Sequence, residues 1–176
     1  MEQIFTMDVE RDIDAAVRFA EILRKKGNVG EFYICGYLVE KYPEKVKKIA
    51  EDHILGGHGY YHEDFAKLSN RKAKAVILKT INIFKKKGLS MQGWRFPYLS
   101  YDKKNLNLIA KYELYDSSIN RKRIGYGLYV HKGVHLLSKN LIEKPWDYAD
   151  LQEKEIFKKQ GRLISHCYNL SGQDGI

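Results

Sequence analysis

The sequence predicts an α/β domain: a mostly parallel sheet with helices packed on its outside. Strand-like apolar runs and amphipathic helical stretches alternate from residue 3 to residue 119, at about the length of βα units. The clearest helical stretches stop at glycines, Gly27 and Gly88, where a helix C-terminus is expected. A chain of 176 residues, 44% hydrophobic and 30% charged, fits one globular domain with a sizeable core. No repeat, low-complexity segment or linker divides it.

The elements follow in order. "QIFTMDV" (3–9) reads as a buried strand, and "IDAAVRFAEILRKKG" (13–27) has the apolar spacing of a helix. "EFYICG" (31–36) is a second strand. "YLVEKYPEKVKKIAED" (37–52) is helical and is expected to break near Pro43, which cannot donate into the helix ladder. "HILGGHG" (53–59) is a short strand and turn. "NRKAKAVILKTINIFKKKG" (70–88) is the strongest amphipathic helix. "MQGWRFPYL" (91–99) is a strand running into a turn, "DKKNLNLIAKYE" (102–113) a helix and "LYDSSI" (114–119) a strand. From 120 to 145 the rhythm changes to β-structure or loop. "DLQEKEIFKKQG" (150–161) and "RLISHCYNL" (162–170) read as a last helix and a last strand.

The composition excludes several classes. No run approaches the roughly 18 apolar residues of a membrane span. The start, "MEQIFTMDVERD", carries acids and lacks an apolar signal core, so a cytoplasmic protein is expected. Cys35 and Cys167 form neither a CxxC pair nor a disulfide framework, and read as small buried residues. The net charge of +9 gathers at "RKKG" (24–27), "FKKKG" (84–88) and "NRKR" (120–123). The first two clusters sit at predicted helix C-termini, where cations complement the helix dipole. No nucleic-acid motif accompanies them, so no nucleic-acid partner is expected.

In sheets of this kind, chemistry collects just beyond the carboxyl ends of the strands. Those ends carry Asp8 and Glu10, then His58 and His62, then Arg95, Asp116 and His166. His58 and His62 in "GGHGYYHEDF" stand four apart; on one helical turn their Cβ atoms would lie roughly 6 Å apart, close enough to hold one ion. Gly56, Gly57 and Gly59 are expected to let the backbone turn tightly there. "HKGVH" repeats the spacing at His131 and His135, but in a stretch read as β or loop, and is taken as structural.

A third ligand should be a carboxylate on another strand end. Asp8 and Glu10, two apart in an extended segment, point to the same side. One can bind metal while the other accepts a proton from the attacking water, and the spacing leaves open which does which. Asp12 and Asp14 read instead as first-turn acids of the following helix. Arg95 can pair with a catalytic carboxylate, Pro97 stiffens the turn behind it, and the Tyr98 backbone N–H can stabilise an oxyanion. His166, ending an apolar strand, is a candidate general acid. In "PWDY", Asp147 can orient that imidazole and Trp146 can wall the pocket. Together these parts describe metal-assisted hydrolysis. Two histidines and a carboxylate favour zinc, with cobalt, nickel or manganese fitting similar ligands.

These motifs, in this order, resemble the polysaccharide deacetylase family, also called the NodB-homology or carbohydrate esterase deacetylases: "TMDVE", "HGYYH", "RFPY", "PWDY" and "LISH", from residue 3 to about 175. The resemblance implies a distorted (β/α)7-type barrel that hydrolyses an N- or O-acetyl group on a sugar or glycan with one divalent metal ion. It implies His58 and His62 as metal ligands, Asp8 as general base, Arg95 as its partner, the Tyr98 amide as oxyanion donor and His166 as general acid. Trp146 and Asp147 then form the pocket wall and the acid's partner. Three departures stand out. Val9 follows Asp8 where two adjacent aspartates are usual, so "DVE" looks like an acid-x-acid variant with Glu10 as third ligand, and the roles of Asp8 and Glu10 can be exchanged. Ile164 replaces the usual leucine two before the final histidine. Ten residues follow His166, fewer than usual, which leaves two expectations open, a barrel unclosed at its C-terminal side or a truncated chain. Two alternatives are a hydrolase of a non-sugar linear or cyclic amide, as in the family's allantoinase-like members, and a non-catalytic glycan-binding relative.

Overall fold

The computed structural model describes residues 3–101 and 103–118, and the backbone of 135–138, 141–143 and 161–166. Its strands are β1 (Gln3–Val9), β2 (Gly30–Ile34), β3 (Ile54–Gly57), β4 (Gly93–Trp94), β5 (Tyr115–Asp116), β6 (His135–Ser138), β7 (Leu141–Glu143) and β8 (Gly161–His166). The helices are α1 (Ile13–Lys25), α2 (Gly36–Lys41), α3 (Pro43–Ala50), α4 (Asn70–Lys86) and α5 (Lys103–Ala110).

Strand and helix alternate through β5 as predicted. Among the described residues, the strands form one sheet in the order β6-β7-β5-β4-β3-β2-β1-β8. Every pairing is parallel except that of β6 with β7. The sheet curls as a barrel does. Three strand spacings on a flat sheet separate backbones by roughly 14 Å. Yet Arg95, just after β4, reaches Asp8 of β1 at 2.6 Å, and the Tyr33 hydroxyl of β2 reaches the Tyr115 hydroxyl of β5 at 3.4 Å. Only a curled sheet brings those tips together.

The helices form where the local chemistry favours them. Asp12 caps α1 by accepting from the Ala15 N–H at 2.9 Å, and Asp14 pairs with Lys45, so both serve the helices as expected. At the other end the Asn28 N–H closes back on the Leu23 carbonyl. Ile13, Ala16, Phe19, Ala20 and Leu23 recur at helical spacing and are all buried. Pro43 splits the predicted 37–52 helix and opens α3 at its first turn. Ser69 caps α4, whose last turn carries Lys85 and Lys86, as Arg24 and Lys25 do in α1. Cys35 is buried, as expected.

Two predicted strands are shorter than expected. The 91–99 strand reduces to Gly93–Trp94, because the chain turns at Pro97 into a 3-10 turn, Pro97–Leu99. The 114–119 strand reduces to Tyr115–Asp116, after which the Ser117 and Ser118 side chains take up hydrogen bonds. The predicted 150–161 helix and Cys167 lie outside the described residues. No helix among the described residues is long and apolar enough to cross a membrane.

His53 locks the start of β2 to α1. Its Nδ1 accepts from the Gly30 N–H at 3.1 Å, so Nε2 carries the proton and donates to the Ala20 carbonyl at 2.9 Å. Burial lowers its pKa below 6.5, and the bond to Ala20 only partly opposes this. The unfolded chain therefore binds more protons here than the folded one as pH falls below about 6.5, and stability declines in that window. Urea unfolding from pH 7 to about pH 5.5 should show a falling midpoint that flattens in His53→Gln. An equal slope in both proteins would remove His53 as the cause.

Candidate active site

β1, β3 and β4 deliver the site. Asp8 lies near the end of β1 with Glu10 just beyond it, His58 follows β3, and Arg95 follows β4. Asp8, His58 and Arg95 are buried.

Arg95 is the hub. Its Nη1 donates to Asp8 Oδ1 at 2.6 Å and to Thr6 Oγ1 at 3.0 Å. Its Nε donates to the Ser117 carbonyl and its Nη2 to the Ser117 hydroxyl, each at 2.8 Å. The guanidinium lies over the Tyr33 ring, 4.1 Å from its centroid. Tyr33 is fixed in turn by donating to Glu31 Oε2 at 2.6 Å, which also accepts from the Tyr115 hydroxyl at 2.9 Å. Burial pushes the Tyr33 hydroxyl well up, and that of Tyr115 up to about 12, so both stay neutral donors.

The His58 ring has a defined direction. Its Nδ1 lies 2.8 Å from the Arg95 carbonyl, which can only accept, so Nδ1 carries the proton. Nε2 then presents a lone pair into the site. It is buried without a hydrogen-bond partner among the described residues, facing Glu10 Oε1 at 3.8 Å and Asp8 Oδ2 at 3.9 Å. His62 Nε2 stands 3.1 Å from Glu10 Oε1. One ligating atom each from Glu10, His58 and His62 lies within 4.8 Å of the others. A lone pair facing carboxylate oxygens is repulsive unless a proton or a metal cation sits between them, and the set of two imidazoles and a carboxylate fits a divalent ion with mixed nitrogen and oxygen ligands. Burial raises the Glu10 carboxyl, but the His58 and His62 imidazoles outweigh it and hold it well below the usual carboxylate range. The Tyr37 hydroxyl donates to the Glu10 carbonyl at 2.6 Å and fixes its backbone.

The geometry corrects the sequence reading of the histidine pair. His58 and His62 do not share a helical turn. Residues 58–64 are not helical, and His62 has φ +67°, outside the helical range. A loop brings the rings to 4.9 Å between centroids. Gly56 and Gly57 make no turn either. Both lie inside β3, where a Cβ on Gly56 would stand 2.5 Å from the Tyr33 ring and one on Gly57 2.6 Å from the Trp94 ring. They are small so that aromatic rings can pack on the strand, and Gly59 alone of the three takes a positive φ, +71°.

Pro97 is buried and Tyr98 is 67% exposed, its ring 4.5 Å from that of His62. Tyr98 and Leu99 both take left-handed backbone conformations, φ +56° and +53°. The β1–β8 register pairs Asp8 with His166, so the two backbones lie side by side. Trp146, Asp147 and the decoy His131 lie outside the described residues; His135 lies in β6. Asp116 turns to its own loop, accepting from the Ser118 hydroxyl at 2.7 Å and the Ser118 N–H at 3.1 Å. The Ser118 hydroxyl also accepts from the Phe96 N–H at 2.9 Å.

Thr6, Tyr33, Ser117 and Ser118 escaped the sequence reading. Thr6 had a usable signal, because it precedes Asp8 by two on one strand and so shares its face. The serine pair after Asp116 was visible as polar residues at a strand end, but its partners come from another strand.

Comparisons with known proteins bear on the family and the fold. The family model described as polysaccharide deacetylase matches residues 6–116. A peptidoglycan-N-acetylglucosamine deacetylase from Bacillus cereus is 31% identical over 83 residues, covering 47% of this chain and 30% of that protein. Among solved structures, a family 4 carbohydrate esterase from Streptomyces lividans aligns with TM-score 0.69 at 15% identity, over 96% of this chain and 81% of that one. A CE4 family pseudoenzyme from Bacillus anthracis aligns with TM-score 0.70 at 13% identity, over 94% of this chain and 55% of that one. Both structural likenesses concern the fold. The chain thus spans under a third of the curated relative's length and about half of the pseudoenzyme's.

Proposed function

The chain belongs to the polysaccharide deacetylase family, and from that membership we propose that it hydrolyses the acetamido group of an N-acetylated sugar or glycan, releasing acetate and leaving an amine. The observation that carries this reading is the buried His58 Nε2, unpartnered among the described residues and aimed at Glu10 and Asp8 with His62 alongside. In this reading Glu10, His58 and His62 hold one divalent cation, zinc first among the candidates. When bound, that ion supplies Lewis acidity toward water and the acetyl carbonyl.

The other steps fall to side chains and backbone. Asp8 takes the proton of the attacking water. Arg95 engages Asp8 Oδ1 at 2.6 Å and leaves Oδ2 facing the cluster. The Tyr98 N–H donates to the developing oxyanion, and the paired left-handed residues Tyr98 and Leu99 are the kind of strain that clusters at active sites. His166 returns a proton to the leaving amine, with Asp147 orienting it and Trp146 walling the sugar.

The test is zinc content of purified protein with acetate release from chitin and peptidoglycan oligosaccharides. About one zinc per chain is expected, lost in His58→Ala/His62→Ala together with turnover. A wild-type protein that takes up no zinc, cobalt or nickel would overturn the metal-site reading.

A further inference from the structure

Nothing periodic in the backbone explains why His58 and His62 meet. They are joined by a non-helical loop with two left-handed residues, Gly59 at φ +71° and His62 at φ +67°. Side chains such as histidine avoid that region unless their surroundings fix it. Packing supplies one restraint, the Tyr98 ring 4.5 Å from that of His62.

We propose that Glu63 is the positioning residue of the metal site: its carboxylate folds the 59–62 loop so that His62 returns beside His58 and Glu10. The assignment rests on the metal-site reading above. Glu63 Oε2 accepts from the Tyr60 N–H at 2.8 Å, and Oε1 accepts from the Tyr61 N–H at 3.0 Å. One carboxylate thus grips two consecutive amides from a position three and two residues further on. These are charge-assisted bonds, stronger than bonds to a neutral acceptor. They close residues 60–63 into a turn with His62 inside it.

Two further features fit this role. The carboxylate needs the space that Gly59 leaves, since a Cβ there would stand 2.7 Å from Glu63 Oε2. The next residue, Asp64, is committed elsewhere. It accepts from the Ser100 hydroxyl at 2.7 Å and the Ala66 N–H at 3.2 Å, and so ties the loop's exit to the segment after Pro97. Glu63 therefore sets the turn that carries His62, and Asp64 anchors the loop's exit.

The experiment compares zinc affinity of metal-stripped wild type, Glu63→Ala and Glu63→Gln by competition with a chromophoric chelator, with melting curves of the metal-free proteins. Glu63→Ala should bind zinc about 10- to 100-fold more weakly, the range for residues that orient metal ligands. Glu63→Gln keeps one acceptor oxygen and should recover part of that loss, while the metal-free melting temperatures stay close together. Equal affinity in wild type and Glu63→Ala overturns the assignment. If Glu63→Ala does not fold, the folded Glu63→Gln decides: weaker binding supports the assignment and unchanged binding overturns it. If wild type binds no zinc, the metal-site reading itself has failed, and the role of Glu63 falls with it.

Discussion

Arg95→Leu is expected to destabilise the metal-free protein by about 3–5 kcal/mol, the cost of breaking a buried ion pair from one side. The guanidinium is fully buried and makes four hydrogen bonds, to Asp8, Thr6 and the Ser117 carbonyl and hydroxyl. Leucine fills part of the volume but removes the guanidinium that balances the buried Asp8 carboxylate and the two donors that Arg95 gives to the Ser117 oxygens. It also removes the cation lying over the Tyr33 ring. Arg95→Lys should recover only part of the loss, because an ammonium cannot reproduce the planar fork that bonds to both β1 and the segment after β5. Asp8→Asn in the Arg95→Leu background should restore some stability by removing the buried charge that Arg95 balances, a coupling that a double-mutant cycle reads directly. Urea unfolding at pH 7 measures all of these proteins. A cost below about 1 kcal/mol for Arg95→Leu would mean that water reaches Asp8, which a sealed hub does not allow.

That hub also explains which parts of the molecule were legible in the sequence. Helix and strand order could be read because each element carries its own period: α1 buries Ile13, Ala16, Phe19, Ala20 and Leu23 on one face, and Pro43 breaks its helix by local sterics. Asp8, Glu10, His58, His62 and Arg95 could be nominated because each sits at the end of a local apolar run. What brings them together is not local. Arg95 meets Thr6 and Asp8 across 89 and 87 residues of chain, and only the curl of the sheet fixes that contact. The HxxxH spacing suggested a helix, yet a left-handed loop achieves the same meeting of rings, and its cause is a carboxylate outside the motif. Gly56 and Gly57 were misread for a similar reason. Their smallness answers to Tyr33 and Trp94, rings held on neighbouring strands.

The division of labour between the two acids of "DVE" leads to the second large effect: Asp8→Asn should keep zinc and lose turnover by about 10²- to 10⁴-fold, the range for removing a general base. Asp8 and Glu10 are chemically alike and face the same His58 Nε2 at nearly equal distances, 3.9 and 3.8 Å. Their other contacts separate them. Asp8 Oδ1 is engaged by Arg95 at 2.6 Å, which withdraws charge from its carboxylate and fixes its orientation, as a base aimed at one water requires. Glu10 Oε1 lies between His58 and His62, 3.8 Å from the former and 3.1 Å from the latter. A cation reaching both imidazoles therefore meets Glu10 first. Glu10→Gln should accordingly weaken zinc affinity more than Asp8→Asn does, while Asp8→Asn should lower kcat with zinc stoichiometry intact. Zinc titration and acetate release on the same two preparations separate these outcomes. The opposite ranking would exchange the two roles and make the Arg95-bound carboxylate the ligand, with Arg95 tuning its grip on the metal instead of its basicity.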